Sequence, residues 1–288
     1  MDKSKEVAAL FSLIDDPDEE VFVTVSEKII GYGKNIIPNL EQLWETIPNE
    51  GIQQCIEQLI HRLHYRDLTE EFKQWHLSDR QELFTGALLV AKFEFPDISE
   101  EKIVKKIESI KRTIWLELNN YLTPLEQLNI VTSILFNYYK LKSNNNEFSA
   151  PQNIFISKIL GSKVGVQLSN GILILILSEL LDIPVKAIQL PEQFILAYVK
   201  PENVSLPDSD FKNKFDFYLD PLGGTIFTNQ HLNDYFKRLN IEIDASYFAI
   251  ADNATIIRRL LLELADCYQK ENNKSKQKEL EDLANLLS

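Results

Sequence analysis

Apolar residues recur at helical spacing through the first part of the chain, from residue 3 to about 120. "SKEVAALFSLI" is the first such run. In the next, an acidic "DDPDEE" precedes Val21, Val25 and Ile29. Asp16 is placed to cap this helix with Pro17 in its first turn, and Asp18, Glu19 and Glu20 suit its positive end. Gly31 or Gly33 is the stop. "KNIIPNLEQLWETI" puts Leu40, Leu43, Trp44 and Ile47 on one face. Further helices are predicted in "GIQQCIEQLIHRLHYR", "SDRQELFTGALLVAKF" with Ser78 at the cap position, and "SEEKIVKKIESIKRTIWLELNNYL" with Ser99 at its cap but no full capping box. Thr123 caps a last helix of this series, with Pro124 in the first turn.

The texture then changes. Residues 142–153, "KSNNNEFSAPQN", are polar and turn-rich and read as a loop. Helix returns in "IFISKILGSK" and in "VQLSNGILILILSELLDI". The second contains the most apolar run of the chain. Glu179 and Asp182 break that run, which is too short to span a bilayer, so it reads as a buried core helix. Beyond Pro184 come three runs rich in β-branched and aromatic residues, 185–190, 193–199 and 215–220, with "TIF" after "PLGGT" as a short fourth strand. Helices resume after about residue 228, and the last two form a hairpin.

Composition narrows the class of protein. A chain of 288 residues accommodates two modest domains, and 9 Gly and 11 Pro favour helix over extended loops. The net charge of −13 disfavours nucleic acid and anionic membranes as partners and favours a basic protein or peptide segment. Two distant cysteines, Cys55 and Cys267, are the usage of a reducing compartment, so a cytoplasmic location is expected. The N-terminal stretch turns acidic after a short apolar run and does not read as a signal peptide.

Candidate chemistry is sparse. Glu57, His61 and His64 share one helical face, but two histidines without a third strong ligand read as polar helix positions, and neither metal nor cofactor is expected. Cys55 and Cys267 sit inside amphipathic helices, where packing roles are expected, and Asp266 beside Cys267 opposes thiolate formation. Trp44, Trp75 and Trp115 are scattered and make no stacking platform. Asp220 ends a strand before "PLGG". A carboxylate there can orient a histidine or start a turn.

Between Gly165 and Gly224 the order is apolar helix, "DIPVKAIQLPEQFILAY", then "FYLDPLGG". This resembles the transglutaminase-like superfamily, and more narrowly its bacterial SirB-like branch. "LFTGALLVAKFEFPDIS" and the segment from "TPLEQLNIV" through "PQN" to "SNG" extend the likeness over about residues 80–245. The resemblance implies an α+β fold, mostly helical, with a small antiparallel sheet in a papain-like core flanked by helical hairpins. The expected division is a helical region with a HEAT-like hairpin at 1–115, the core at 116–245 and a C-terminal hairpin at 246–288. It also implies a cysteine at a helix start, a histidine on the next strand and an aspartate on the strand after. These positions fall on Gln167, Gln193 and Asp220. Glutamine offers neither a nucleophile nor a base, Ser169 points elsewhere on the helix, and His231 lies beyond the strands. The resemblance therefore implies a catalytically silent protein with a binding, scaffolding or regulatory role. A hydrolase or acyl-transferase with a rearranged site, and a small-ligand sensor, are the alternatives.

Overall fold

The computed structural model describes residues 6, 9–11, 13, 18–144, 150–191 and 193–288, without the side chains of Glu19 and Gln189. The chain divides into two compact units, Met1–Gln74 and Trp75–Ser288. The expected boundary near residue 115 lies within the second.

In the first unit, α1 (Glu19–Gly31) begins on Asp18, whose carboxylate accepts from the Glu20 N–H at 2.9 Å. Asp16 and Pro17 lie outside the described residues. A short 3-10 turn at Gly33–Ile36 leads into α2 (Ile37–Thr46). The helix expected over 51–66 is part of one long helix, α3 (Glu50–His76). Nothing in "DLTEEFKQWH" breaks it, and Leu68, Phe72 and Trp75 keep the apolar spacing and are buried. Val25, Ile29, Leu40, Ile56, Leu59 and Leu63 form this unit's core.

The second unit opens with a difference from the sequence expectation. Ser78 does not cap a helix. Its hydroxyl donates to the Trp75 carbonyl at 2.6 Å and accepts from the Gln81 N–H at 3.2 Å, closing the turn after α3. Helix α4 (Leu83–Glu94) starts five residues later and is buried along most of its length. Ile103, Ile107, Ile110 and Ile114 form the buried stripe of α5 (Glu100–Glu117). Thr123 and Glu126 exchange both bonds of a capping box at the start of α6 (Pro124–Thr132). The helix then widens into a π-helix at Ser133–Tyr138, which apolar spacing did not distinguish from α.

The loop expected at 142–153 contains a two-residue strand, β1 (Lys142–Ser143), paired in parallel with β2 (Val164–Gly165). Between them α7 (Ile156–Ser162) ends on Lys163 in the left-handed region. Helix α8 (Gln167–Leu180) is the buried helix that the apolar run predicts, and Leu168 to Ser178 are all buried. The four strands β3 (Val185–Leu190), β4 (Gln193–Val199), β5 (Phe215–Asp220) and β6 (Thr225–Phe227) form an antiparallel sheet in that order. A short helix, α9 (Phe211–Lys214), feeds β5.

The sheet is buried on both faces, so β4 is apolar along nearly its whole length and shows no alternation. One face lies against α8. The other packs Ile188, Leu190, Ile195 and Ala197 against Phe211, Phe248 and residues of α10 (Asn229–Leu239). The hairpin of α11 (Asn253–Lys270) and α12 (Lys274–Asn285) is capped by Asp252 and Asn273. It is tied to α4 where the Tyr268 hydroxyl and the Lys276 ammonium both donate to Glu94 Oε2 at 2.6 Å. The α+β class, mostly helical with a small antiparallel sheet, is the one expected. Among the described residues no helix is long and apolar enough to cross a membrane.

Helix α8 approaches the sheet through Gly171. A Cβ there would stand 2.6 Å from the Phe194 ring and 3.1 Å from Pro221. Replacing a mid-helix glycine by alanine ordinarily gains about 0.5–1 kcal/mol. Gly171→Ala should instead cost about 1–3 kcal/mol, because the aromatic ring must move. Gly223→Ala meets nothing within 4 Å and should fall within about 0.5 kcal/mol of the parent. Urea melts of the two variants test the contrast, and a stabilised Gly171→Ala would contradict this packing.

Candidate functional site

Gln167 is the first residue of α8, where the chain leaves β2 and its side chain projects toward the sheet. Its Nε2 donates to Asp220 Oδ1 at 2.9 Å, and its Oε1 accepts from the Phe194 N–H at 3.1 Å. That N–H belongs to the peptide joining Gln193 to Phe194. The amide therefore bridges the start of β4 and the end of β5. Asp220 is held from a second side, since the same Oδ1 accepts from the Leu222 N–H at 2.9 Å. The Gly224 N–H closes the turn on the Asp220 carbonyl at 2.9 Å. Of the two roles open to Asp220 in the sequence, turn initiation is the one its contacts serve.

The structure thus joins Gln167 directly to Asp220 and to the backbone beside Gln193. The Gln193 side chain lies on the other side of the strand. Gln193 pairs with Leu190, a core residue on the face turned away from α8. Cross-strand partners share a face and successive residues alternate. Phe194 is the residue that meets α8, packing on Gly171, with the Arg259 guanidinium 5.3 Å from its ring centroid.

A buried polar network surrounds the helix start. The Ser169 hydroxyl donates to the Asn153 carbonyl at 2.9 Å and accepts from the Val166 N–H at 2.9 Å. Asn170 Nδ2 donates to Ser143 Oγ at 2.9 Å, and Ser143 in turn donates to the Leu222 carbonyl. Gly165 makes room for this, since a Cβ would stand 2.1 Å from Asn170 Oδ1. Ser143, Asn153 and Asn170 were not singled out from sequence. The available signal was the polar pair Ser169–Asn170 at the head of the most apolar helix.

The remaining candidates are engaged elsewhere. His231 Nδ1 lies 3.3 Å from the Thr228 N and 3.2 Å from its hydroxyl, completing the cap of α10. Cys267 is buried in α11, and desolvation, reinforced by Glu263, pushes its thiol up to about 11. Cys55 is half-buried in α3, within the first unit. Glu57 accepts from the Trp44 indole at 3.0 Å. Among the described residues no group of three or more His, Cys, Asp or Glu is placed to hold a metal ion.

The model of the transglutaminase-like superfamily matches residues 101–262, more than half of the sequence. The chain belongs to the transglutaminase-like superfamily. It is also similar to the UPF0162 protein YchA of Escherichia coli (strain K12), 22% identical over 194 residues that cover 66% of this chain and 68% of that one. A UPF0162 protein of Vibrio cholerae is 22% identical over 196 residues, covering 67% and 68%. No solved structure matches. In superfamily terms the bridge lies wholly inside the matched segment, whereas Cys55 lies outside it and Cys267 lies beyond its end.

The bridge requires a donor and an acceptor on one side chain. Gln167→Glu keeps the length, removes the donor and sets a second carboxylate against Asp220. It should cost about 2–3 kcal/mol at neutral pH. Asp220→Asn should cost about 1 kcal/mol, since a charge-assisted acceptor becomes a neutral one. Denaturant melts give both values. A Gln167→Glu protein as stable as the parent would show that the amide does not tie the strands.

Proposed function

We propose that this chain is a catalytically silent member of the superfamily, of its SirB-like branch, with Gln167 at the degenerate nucleophile position and Asp220 at the orienting one, while Gln193, the base position by resemblance, turns its side chain to the opposite face of the strand. Its role on this reading is to bind, scaffold or regulate a protein partner, acting in the cytoplasm. The observation that carries the reading is the engagement of the Gln167 amide by its own chain. Both polar atoms of its side chain are hydrogen-bonded, to Asp220 and to the Phe194 N–H. Acyl transfer needs a nucleophile and a base within mutual reach. A glutamine is neither, and the polar groups beside it are the Asp220 carboxylate, a serine spent on two backbone groups and an asparagine. The net charge of −13 favours a partner segment rich in lysine and arginine.

The test pairs activity with thiol reactivity on the full chain. No thiol-dependent hydrolysis of ester or peptide substrates and no amine transfer is expected. Cys267 should react slowly with iodoacetamide from pH 7 to 9. Its rate should climb only as pH approaches the raised thiol pKa of about 11, because the neutral thiol is not the nucleophile. Fast alkylation at either cysteine with an apparent pKa below about 7 would overturn the reading. So would a turnover that Asp220→Asn abolishes without changing the melt.

A further inference from the structure

Away from the helix start, on the flank of α8 two turns further along, the second unit has a half-open cavity of about 190 Å³. Its walls are Ile110 of α5, Leu135 of the π-helix, Ile159 of α7 and Leu173 of α8, all buried. Tyr139 closes one side, its hydroxyl 3.2 Å from Thr113 Oγ1 and so fixed to α5. Two cations, Lys106 and Lys163, line the same cavity and are exposed to solvent. Lys106 leans across from α5, its Nζ 3.9 Å from where a Cβ would sit on Gly161 at the end of α7. Neither lysine is ion-paired among the described residues.

We propose that this cavity is a binding site for a small carboxylate with an apolar body, the carboxylate meeting Lys106 and Lys163 and the body filling the space between α5, the π-helix, α7 and α8. Size sets the body. An apolar cavity of about 150 Å³ holds a benzene ring, so this one takes an aryl ring with a short tail or a chain of about six to nine carbons. Buried branched aliphatic walls with few polar groups are the lining that small-molecule sites use. The rim sets the head group. In a chain of net charge −13, two unpaired ammonium groups beside one opening select an anion over a neutral or cationic analogue of the same shape. The π-helix contributes Leu135 to the wall, and such widened turns are frequent at functional sites. The site is separate from the Gln167 bridge and stands whether or not the chain is catalytic.

Calorimetric titration of the full chain with 3-phenylpropionate and octanoate, against 3-phenylpropan-1-ol, octan-1-ol and 3-phenylpropylamine, tests it. The acids should bind saturably and raise the melting temperature, at least about tenfold tighter than the matching alcohols. The amine should bind weakest. The double variant Lys106→Ala/Lys163→Ala should lose at least about tenfold in acid affinity and no longer separate acid from alcohol. Ser109→Trp, at an exposed position of the cavity lining, should block acid binding while the ligand-free melt stays unchanged. Absence of saturable acid binding up to about 5 mM would overturn the proposal. So would alcohols that bind as tightly as acids, or an undiminished acid affinity in either variant.

Discussion

One side-chain amide ties the start of α8 to two strands of the sheet. The amide of Gln167 presents a donor and an acceptor about one bond angle apart, and the fold sets an acceptor and a donor opposite them, Asp220 Oδ1 and the Phe194 N–H. Helix start, β4 and β5 are far apart in sequence, and backbone pairing joins only the strands to each other. The helix is registered against them by this bridge, by the close contact of Gly171 with Phe194, and by the network through Asn170 and Ser143 to the 221–222 turn. Buried polar groups cost free energy unless paired. The pairing here therefore discriminates strongly against displaced arrangements of α8, which would leave several such groups unpaired at once.

The pairing register of β3 and β4 decides what the helix meets. With Leu190 opposite Gln193, Leu190 and Ile195 face the cluster of Phe211, Phe236 and Phe248, and Phe194 faces α8. Moving the register by one residue would exchange the two sets. Tyr235 of α10 donates to the Pro191 carbonyl at the hairpin tip, so the turn is anchored from the cluster side. The aromatic cluster and the polar bridge thus constrain the same strand from opposite faces.

Much of the fold was legible in the sequence because its signals are local. Apolar spacing located the helices, β-branched and aromatic runs located the strands, and Thr123 announced its own cap. The misses have a common character. Ser78 is a plausible cap by type, but a cap depends on where the first turn forms, and the chain turned first at Ser78–Gln81. The π-helix keeps an apolar pattern close to that of an α-helix and differs by one residue per turn. At the site, the residue positions came from resemblance. The contact between Gln167 and Asp220 was not readable from spacing, since 53 residues separate them. Nor was the direction of Gln193, which depends on a hairpin register that the "LPEQF" turn alone does not fix.

The same contacts explain how the fold accommodates a glutamine at the start of α8. The positive end of a helix stabilises negative charge nearby. Here the first helical residue draws in the Asp220 carboxylate through its amide hydrogen. A catalytic group must remain accessible and incompletely satisfied so that substrate can engage it, which costs stability. Gln167 has the opposite character, with both polar atoms occupied by its own chain. On the reading proposed here, the position has exchanged reactivity for registration. Such an exchange needs no change in the strands, because the partners it uses, a backbone N–H at the start of β4 and a carboxylate at the end of β5, are supplied by the sheet.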